Sequence, residues 1–232
     1  MGIGSSDAVA GGNTNSIDLE TGSTQWLSIA DASQTGLDIT SDITLEAWVK
    51  IESAPASGVA YGIITKWKGA GEQRSYSMQY YNNAGTPQIF ISFSSNGTTV
   101  SQIGTNQTLN TATWYHVAVS YVASTGEAKV YLDGTLLATQ TGHVTSIYNG
   151  AADFNIGAEN GGNNMDGLID DARIWSVART GTQINDNKST EIDSATNLQG
   201  SWHLNDVLTD SSGNSNTLTN NGTAVFSTDV PF

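Results

Sequence analysis

The sequence predicts an all-β fold, an antiparallel β-sandwich of two curved sheets, on three observations. Apolar and polar residues alternate with a period of two in about a dozen short runs. Turn-forming clusters separate these runs roughly every 8–15 residues. No stretch shows the strand–helix–strand order of a parallel sheet. The 232 residues are 38% hydrophobic, enough to fill the core of one large domain rather than leave the chain disordered.

Taken in order, "SIDLE" (16–20), "QWLSIA" (25–30) and "DITLEAWVKI" (42–51) alternate first. "GIITKW" (62–67), "SYSMQYY" (75–81) and "QIFISFS" (88–94) follow. In "TWYHVAVSYV" (113–122), Trp114, His116, Ala118 and Ser120 alternate against Tyr115, Val117, Val119 and Tyr121. "EAKVYLDGTLLATQ" (127–140) holds two strands around an Asp-Gly turn, so a three-stranded meander is expected here. "FNIGA" (154–158), "GLIDDARIW" (167–175) and "GSWHLN" (200–205) come later, with weak runs in "NTLTNNG" and "AVFSTD". A short helical turn is expected near 178–187, within "SVARTGTQINDN". Residues 1–15 read as a flexible leader. Residues 16–232 read as a single domain in which 198–232 supplies closing strands.

Composition narrows the partners. Eight basic against 22 acidic residues give a formal charge of −14, which repels nucleic acid and anionic membranes and leaves cations and neutral polar ligands. There are no cysteines, so stability must come from the core or from metal. No apolar run approaches the roughly 18 residues of a membrane span. The opening "MGIGSSDAVAGGNTN" lacks the basic and apolar regions of a signal peptide.

"DITLEAWVK", "TWYHVAVSYVASTGEAKVYLDGTLL" and "DGLIDDARIWSVARTGTQI", in that order, resemble the concanavalin A-like, laminin-G-type jelly rolls of bacterial surface and secreted proteins, with pentraxins as more distant relatives. The resemblance implies a sandwich with a concave groove and an extracellular or cell-surface location. "LQGSWHLNDVLTDSSGNSNTLTNNGT" (198–223) looks like the segment that opens many such domains, here placed last. It either completes the same sheets or exchanges into a neighbouring molecule, giving self-association.

The start "SIDLETGSTQW" also resembles the family's opening, which lies close to the I-D-D strand and often shares a structural calcium ion with it. That resemblance carries calcium ligation to Glu20, to Asp170 or Asp171, and to backbone oxygens near Thr24; calcium accepts six to eight oxygens in flexible geometry. Two departures bear on this carry-over: Glu20 stands in place of Asp, and Gln25 stands where a carboxylate is usual. Read from the residues alone, neighbouring Asp170 and Asp171 point to opposite faces of a strand, which makes them a poor catalytic dyad. Asp171 could simply pair with Arg173, two residues on. "DSSGNSN" (210–216) reads as a hydrogen-bonded Asx turn, lacking the Gly and Glu of an EF-hand.

Catalysis finds no matching constellation. Jelly-roll glycosidases of this kind use two carboxylates on one strand face, and the nearest match, "EIDSAT" (191–196), lacks the final acid. Three histidines, His116, His143 and His203, show no metal spacing. A non-catalytic recognition module for a glycan or glycoprotein is the favoured reading. Sugars need an aromatic plate beside amides, carboxylates or Arg. Two loop regions supply these: Trp67, Arg74, Tyr76 and Tyr81 in one, and Asn160, Asn163 and Asn164 in the other. The alternatives are a structural or adhesive subunit of a surface assembly and, more remotely, a glycoside hydrolase.

Overall fold

The computed structural model describes residues 12–232; of the expected leader, residues 1–11 lie outside the described residues. The chain begins with β1 (Ser16–Leu19), β2 (Trp26–Ile29) and β3 (Ile43–Ile51). The long strands β4 (Ala60–Lys68), β5 (Gln73–Asn83) and β6 (Thr86–Gly97) follow, then β7 (Ser101–Asn106). The meander is β8 (Trp114–Val122), β9 (Glu127–Leu132) and β10 (Thr135–Gln140). β11 (Phe154–Ile156), β12 (Gly167–Trp175) and the α-helix α1 (Gly181–Asn187) lead to β13 (Leu198–Trp202), β14 (Thr219–Asn221) and β15 (Val225–Ser227).

These strands form two antiparallel sheets. The first runs β10-β9-β8-β3-β12-β1-β15, with β13 also pairing β12, and the second runs β14-β2-β11-β4-β5-β6-β7. The alternation read from the sequence decides which side chains meet between them. Ile43, Leu45, Ala47, Val49 and Ile51 of β3 face Met78, Tyr80, Ile89 and Ile91 of the second sheet in one buried cluster. The expected Asp-Gly turn joins β9 and β10 with positive φ at Asp133 (50°) and Gly134 (79°), the geometry of a type I′ hairpin. β7 was not expected; "SQIGTN" shows no apolar alternation because it is an edge strand with no fully buried residue.

The C-terminal segment closes both sheets within the chain. β13 pairs the second half of β12, β14 pairs β2 and β15 pairs β1. Beyond β15, Trp114 Nε1 donates to Asp229 Oδ1 at 2.8 Å. Residues 13–15, read as leader, are held as well: Thr14 N and Asn15 N donate to Asn205 Oδ1 at 2.8 and 3.1 Å. The "DSSGNSN" loop is the expected Asx turn, with Asp210 accepting from Ser201 N at 3.0 Å and from Ser212 N at 2.8 Å. α1 begins with a capping box between Thr180 and Gln183, which satisfies two N-terminal backbone donors. It lies over the outer face of the first sheet.

Candidate functional site

The outer face of the second sheet carries a row of polar side chains that no core requires. In register across it stand Ser28, Asn155, Thr65, Ser77, Ser92 and Gln102. The next residues along each strand point inward and are apolar: Leu27, Ile156, Ile64, Met78, Ile91 and Ile103. Above the polar row lie Trp67 and Arg74, which pair across β4 and β5. Below it lie Gln79 beside Phe90, and Tyr81, whose ring centroid is 5.2 Å from that of Phe90.

The 157–166 loop forms a wall over this face. Thr65 Oγ1 donates to Ala158 O at 2.8 Å, and Gly62 N donates to Asn163 O at 2.8 Å. A side chain at position 62 is impossible without a shift, since a Cβ there would stand 2.3 Å from the Ala158 carbonyl carbon. The wall brings Glu159 onto the face, where it accepts hydrogen bonds from Gln79 Nε2 and, at 3.4 Å, from Asn163 Nδ2. Burial raises the Glu159 pKa, while those two bonds and the Arg74 charge oppose the rise. The buried Ser77 hydroxyl has no hydrogen-bond partner among the described residues.

Trp67, Arg74 and Tyr81 of the expected ligand residues therefore share one face, and Asn163 reaches it from the loop. Tyr76 does not. It points into the core, fully buried, and donates to Leu37 O at 2.9 Å, because it has the parity of Met78 and Tyr80. That parity was visible in the sequence. Asn160 is exposed on the loop, and Asn164 Nδ2 donates to Gln25 O at 3.4 Å. Gln79 was missed as a member of the face; the even–odd split of "SYSMQYY" is the signal that would have found it.

The acidic residues separate into two groups. Oxygens of Asp18, Glu20 and Glu52 lie within 4.8 Å of one another, at the end of the first sheet where β1, β3 and β12 meet. Asp166 joins them, accepting from Thr21 N at 3.4 Å and from Ser53 Oγ. Burial and then the Asp166 charge raise the pKa of Asp18; burial, Asp18, Glu20 and Asp166 raise that of Glu52. Thr24 ends the turn that follows Glu20, in the left-handed region with φ 54°, and a Cβ at Gly222 would stand 2.6 Å from its carbonyl oxygen.

Asp170 and Asp171 belong elsewhere. Extending the β1–β12 register puts Asp166 opposite Glu20, so Asp170 lies four residues, roughly 13 Å, further along the strand. Strict alternation would separate the two aspartates, but β12 uses three steps from Asp170 to Arg173 where β3 uses two from Trp48 to Glu46. This bulge, with φ 40° at Asp171, turns both carboxylates to the outer face. Asp170 accepts from Asn13 Nδ2 at 2.7 Å and from Asp171 N at 2.8 Å. Asp171 stands 3.3 Å from Arg173 Nη2, the ion pair the spacing suggested. Burial pushes Asp170 up to about 8 and Asp171 up to about 6.

The family model for the concanavalin A-like lectin/glucanases superfamily matches residues 21–185. No curated protein matches the chain by sequence. Among solved structures, a candidate carbohydrate binding protein from Bacteroides ovatus aligns over 93% of this chain with a TM-score of 0.71 and 19% identity, and the chain spans 60% of that protein's length. A heptameric SAP-like pentraxin from Limulus polyphemus aligns over 92% of this chain and 94% of its own, with a TM-score of 0.59 and 14% identity. The binding domain of botulinum neurotoxin serotype G aligns over 68% of this chain and 39% of its own, with a TM-score of 0.51 and 14% identity. At these identities the structural likeness concerns the fold. Among the described residues no helix is long and apolar enough to cross a membrane.

Proposed function

Since the chain belongs to the concanavalin A-like lectin/glucanases superfamily, we propose that it is a non-catalytic carbohydrate-binding module working at an extracellular or cell-surface location. Glycan binds on the outer face of the second sheet. The observation that carries this reading is the polar row flanked by Trp67 and Arg74 on one side and by Gln79, Phe90 and Tyr81 on the other. Sugar hydroxyls bond the Gln79–Glu159 pair and Gln102 at the exposed end of the row, and their C–H faces rest on the aromatic rings.

Most glycoside hydrolases use two carboxylates about 5–9.5 Å apart. The strands bring none to this face among the described residues, and Glu159 arrives alone from the loop. Binding without turnover fits that inventory.

Calcium belongs to the same proposal, as a structural ion at Asp18, Glu20 and Glu52 with Asp166. Three carboxylates within 4.8 Å of each other, two of them with pKa raised by burial and then by neighbouring acidic charge, suit a hard cation with oxygen ligands. Such an ion would tie the ends of β1, β3 and β12 together.

A glycan array probed with and without calcium tests the binding claim. We expect neutral glycans to be retained and Gln79→Ala to weaken them at least tenfold; an array without a binder in either condition refutes the assignment. The adhesive alternative draws on one observation, the exposed Leu136 and Leu137 on edge strand β10, an open edge able to pair with another chain.

A further inference from the structure

A partly open pocket lies on the opposite face of the sandwich from the groove. A cavity of about 420 Å³ opens between the end of β12, α1 and residues 192–197. Its volume falls within the roughly 300–1,000 Å³ of small-molecule sites. Trp175 and Ile192 give it an apolar wall, and Gln183, Asn187, Thr196 and Asn197 surround that wall with amides and a hydroxyl.

The wall is held rigid from behind. Trp175 Nε1 donates to the buried Glu46 Oε1 at 2.6 Å, and Arg179 Nη1 donates to the same oxygen at 2.7 Å. The Arg179 guanidinium lies 4.1 Å from the centre of the Trp175 ring, and its Nη2 donates to Gln183 O at 3.1 Å. The one charged group in the lining is thus neutralised by Glu46 and engaged at each Nη. Polar capacity remains on the rim. Asn187 uses Nδ2 on Gln183 O at 2.7 Å, leaving Oδ1; Gln183 uses Oε1 on Thr180 N at 2.9 Å, leaving Nε2.

A fixed apolar wall, no net charge, and paired donors and acceptors describe a receptor for a neutral polyhydroxylated unit. The chain's charge of −14 disfavours anionic ligands there. We propose that this cavity is a second carbohydrate site, accepting one or two neutral sugar units, so that the module is bivalent through opposite faces of the sandwich. The choice of sugar as ligand rests on the proposed function; the cavity as a separate site does not. Because stacked sheets lie about 10 Å apart and their outer faces point away from each other, the two sites engage separate stretches of polysaccharide. Linked binding of this kind raises avidity without any new contact.

The test is a titration of ¹⁵N-labelled full chain with a panel of neutral trisaccharides (xylo-, arabino-, cello- and manno-), reading the indole signals of Trp175 and Trp67 and the amides of Asn187 and Asn197. We expect at least one sugar to shift both sets. Thr196→Trp, at the exposed rim, should fill the mouth and raise the dissociation constant read at Trp175 at least tenfold, leaving the Trp67 titration within twofold. Gln79→Ala should do the reverse. Shifts confined to Trp67 overturn the second site and leave the groove standing. A Trp175 response that survives Thr196→Trp also overturns it, since that response is then transmitted from elsewhere. No shift in either set with any sugar removes the proposed function, and this inference with it.

Discussion

Replacing Glu46 with Gln isolates the one acid that anchors α1 to the first sheet. Its carboxylate is fully buried. Besides the bonds from Trp175 and Arg179, Oε1 stands 3.4 Å from Arg173 Nε, and Oε2 stands 3.6 Å from His116 Nε2. Burial alone would raise the Glu46 pKa, yet the charges of Arg173, His116 and Arg179 outweigh it and hold it low. Burial pushes His116 down to about 4, so near neutral pH it carries no charge, and Glu46 faces Arg179 and Arg173, the latter shared with Asp171.

Glu46→Gln keeps the shape and removes the charge, leaving Arg179 buried without a counter-ion and Arg173 with Asp171 alone. Breaking a buried pair in this way costs about 3–5 kcal/mol. For a chain of this length each kcal/mol moves the midpoint by about 2–4 °C, so thermal unfolding should fall by roughly 6–20 °C. The damage should be local first. Arg173 donates to Asn187 O and Thr190 O at 3.2 and 3.0 Å, and Arg179 donates to Gln183 O, so α1 and the turn after it hang on the two side chains. Hydrogen exchange over 181–190 should rise before that of β3 or β8. A midpoint within 2 °C of the parent, with exchange over α1 unchanged, would refute the view that this network fixes the helix.

Asp170 and Asp171 have folded-state pKa values raised to about 8 and about 6 from 3.8; a raised acid favours folding while protonated, so stability should fall as pH climbs from about 4 to 8. Asp170→Asn should flatten that loss in urea melts at pH 6 and 9 with chelator present, and a parent chain equally stable at both would contradict it. His116, depressed to about 4 from 6.5, acts in the other direction: stability should drop as pH falls from 6.5 towards 4, and His116→Gln should lessen the drop. Calcium at 100 times its dissociation constant should add about 2.7 kcal/mol, read as a rise in melting midpoint. Glu52→Gln should abolish that rise while Asp170→Asn keeps it, and the opposite pattern would move the ion to the aspartate pair. Gly62→Ala should destabilise by about 1–3 kcal/mol in the same melts, because its methyl meets the Ala158 backbone.

The period-two pattern determined much of this molecule by itself. "DITLEAWVKI" and "TWYHVAVSYV" could turn only one set of alternate residues toward the opposite sheet, and those sets form the core. The Asp-Gly turn, the Asx loop and the Asp171–Arg173 pair are local devices, legible because their partners lie a few residues apart. What the tertiary structure decided involves residues distant in the chain or steps out of the period. A single extra residue in β12 turns Asp170 and Asp171 to one face, and nothing in "GLIDDARIW" announces it. Asp18, Glu20, Glu52 and Asp166 meet only because β1 and β3 flank β12. Glu159 reaches Gln79, and Arg179 reaches Glu46, across gaps of 80 and 133 residues. Strand register joins such positions, and register is set by the packing of the whole sandwich rather than by any stretch within it.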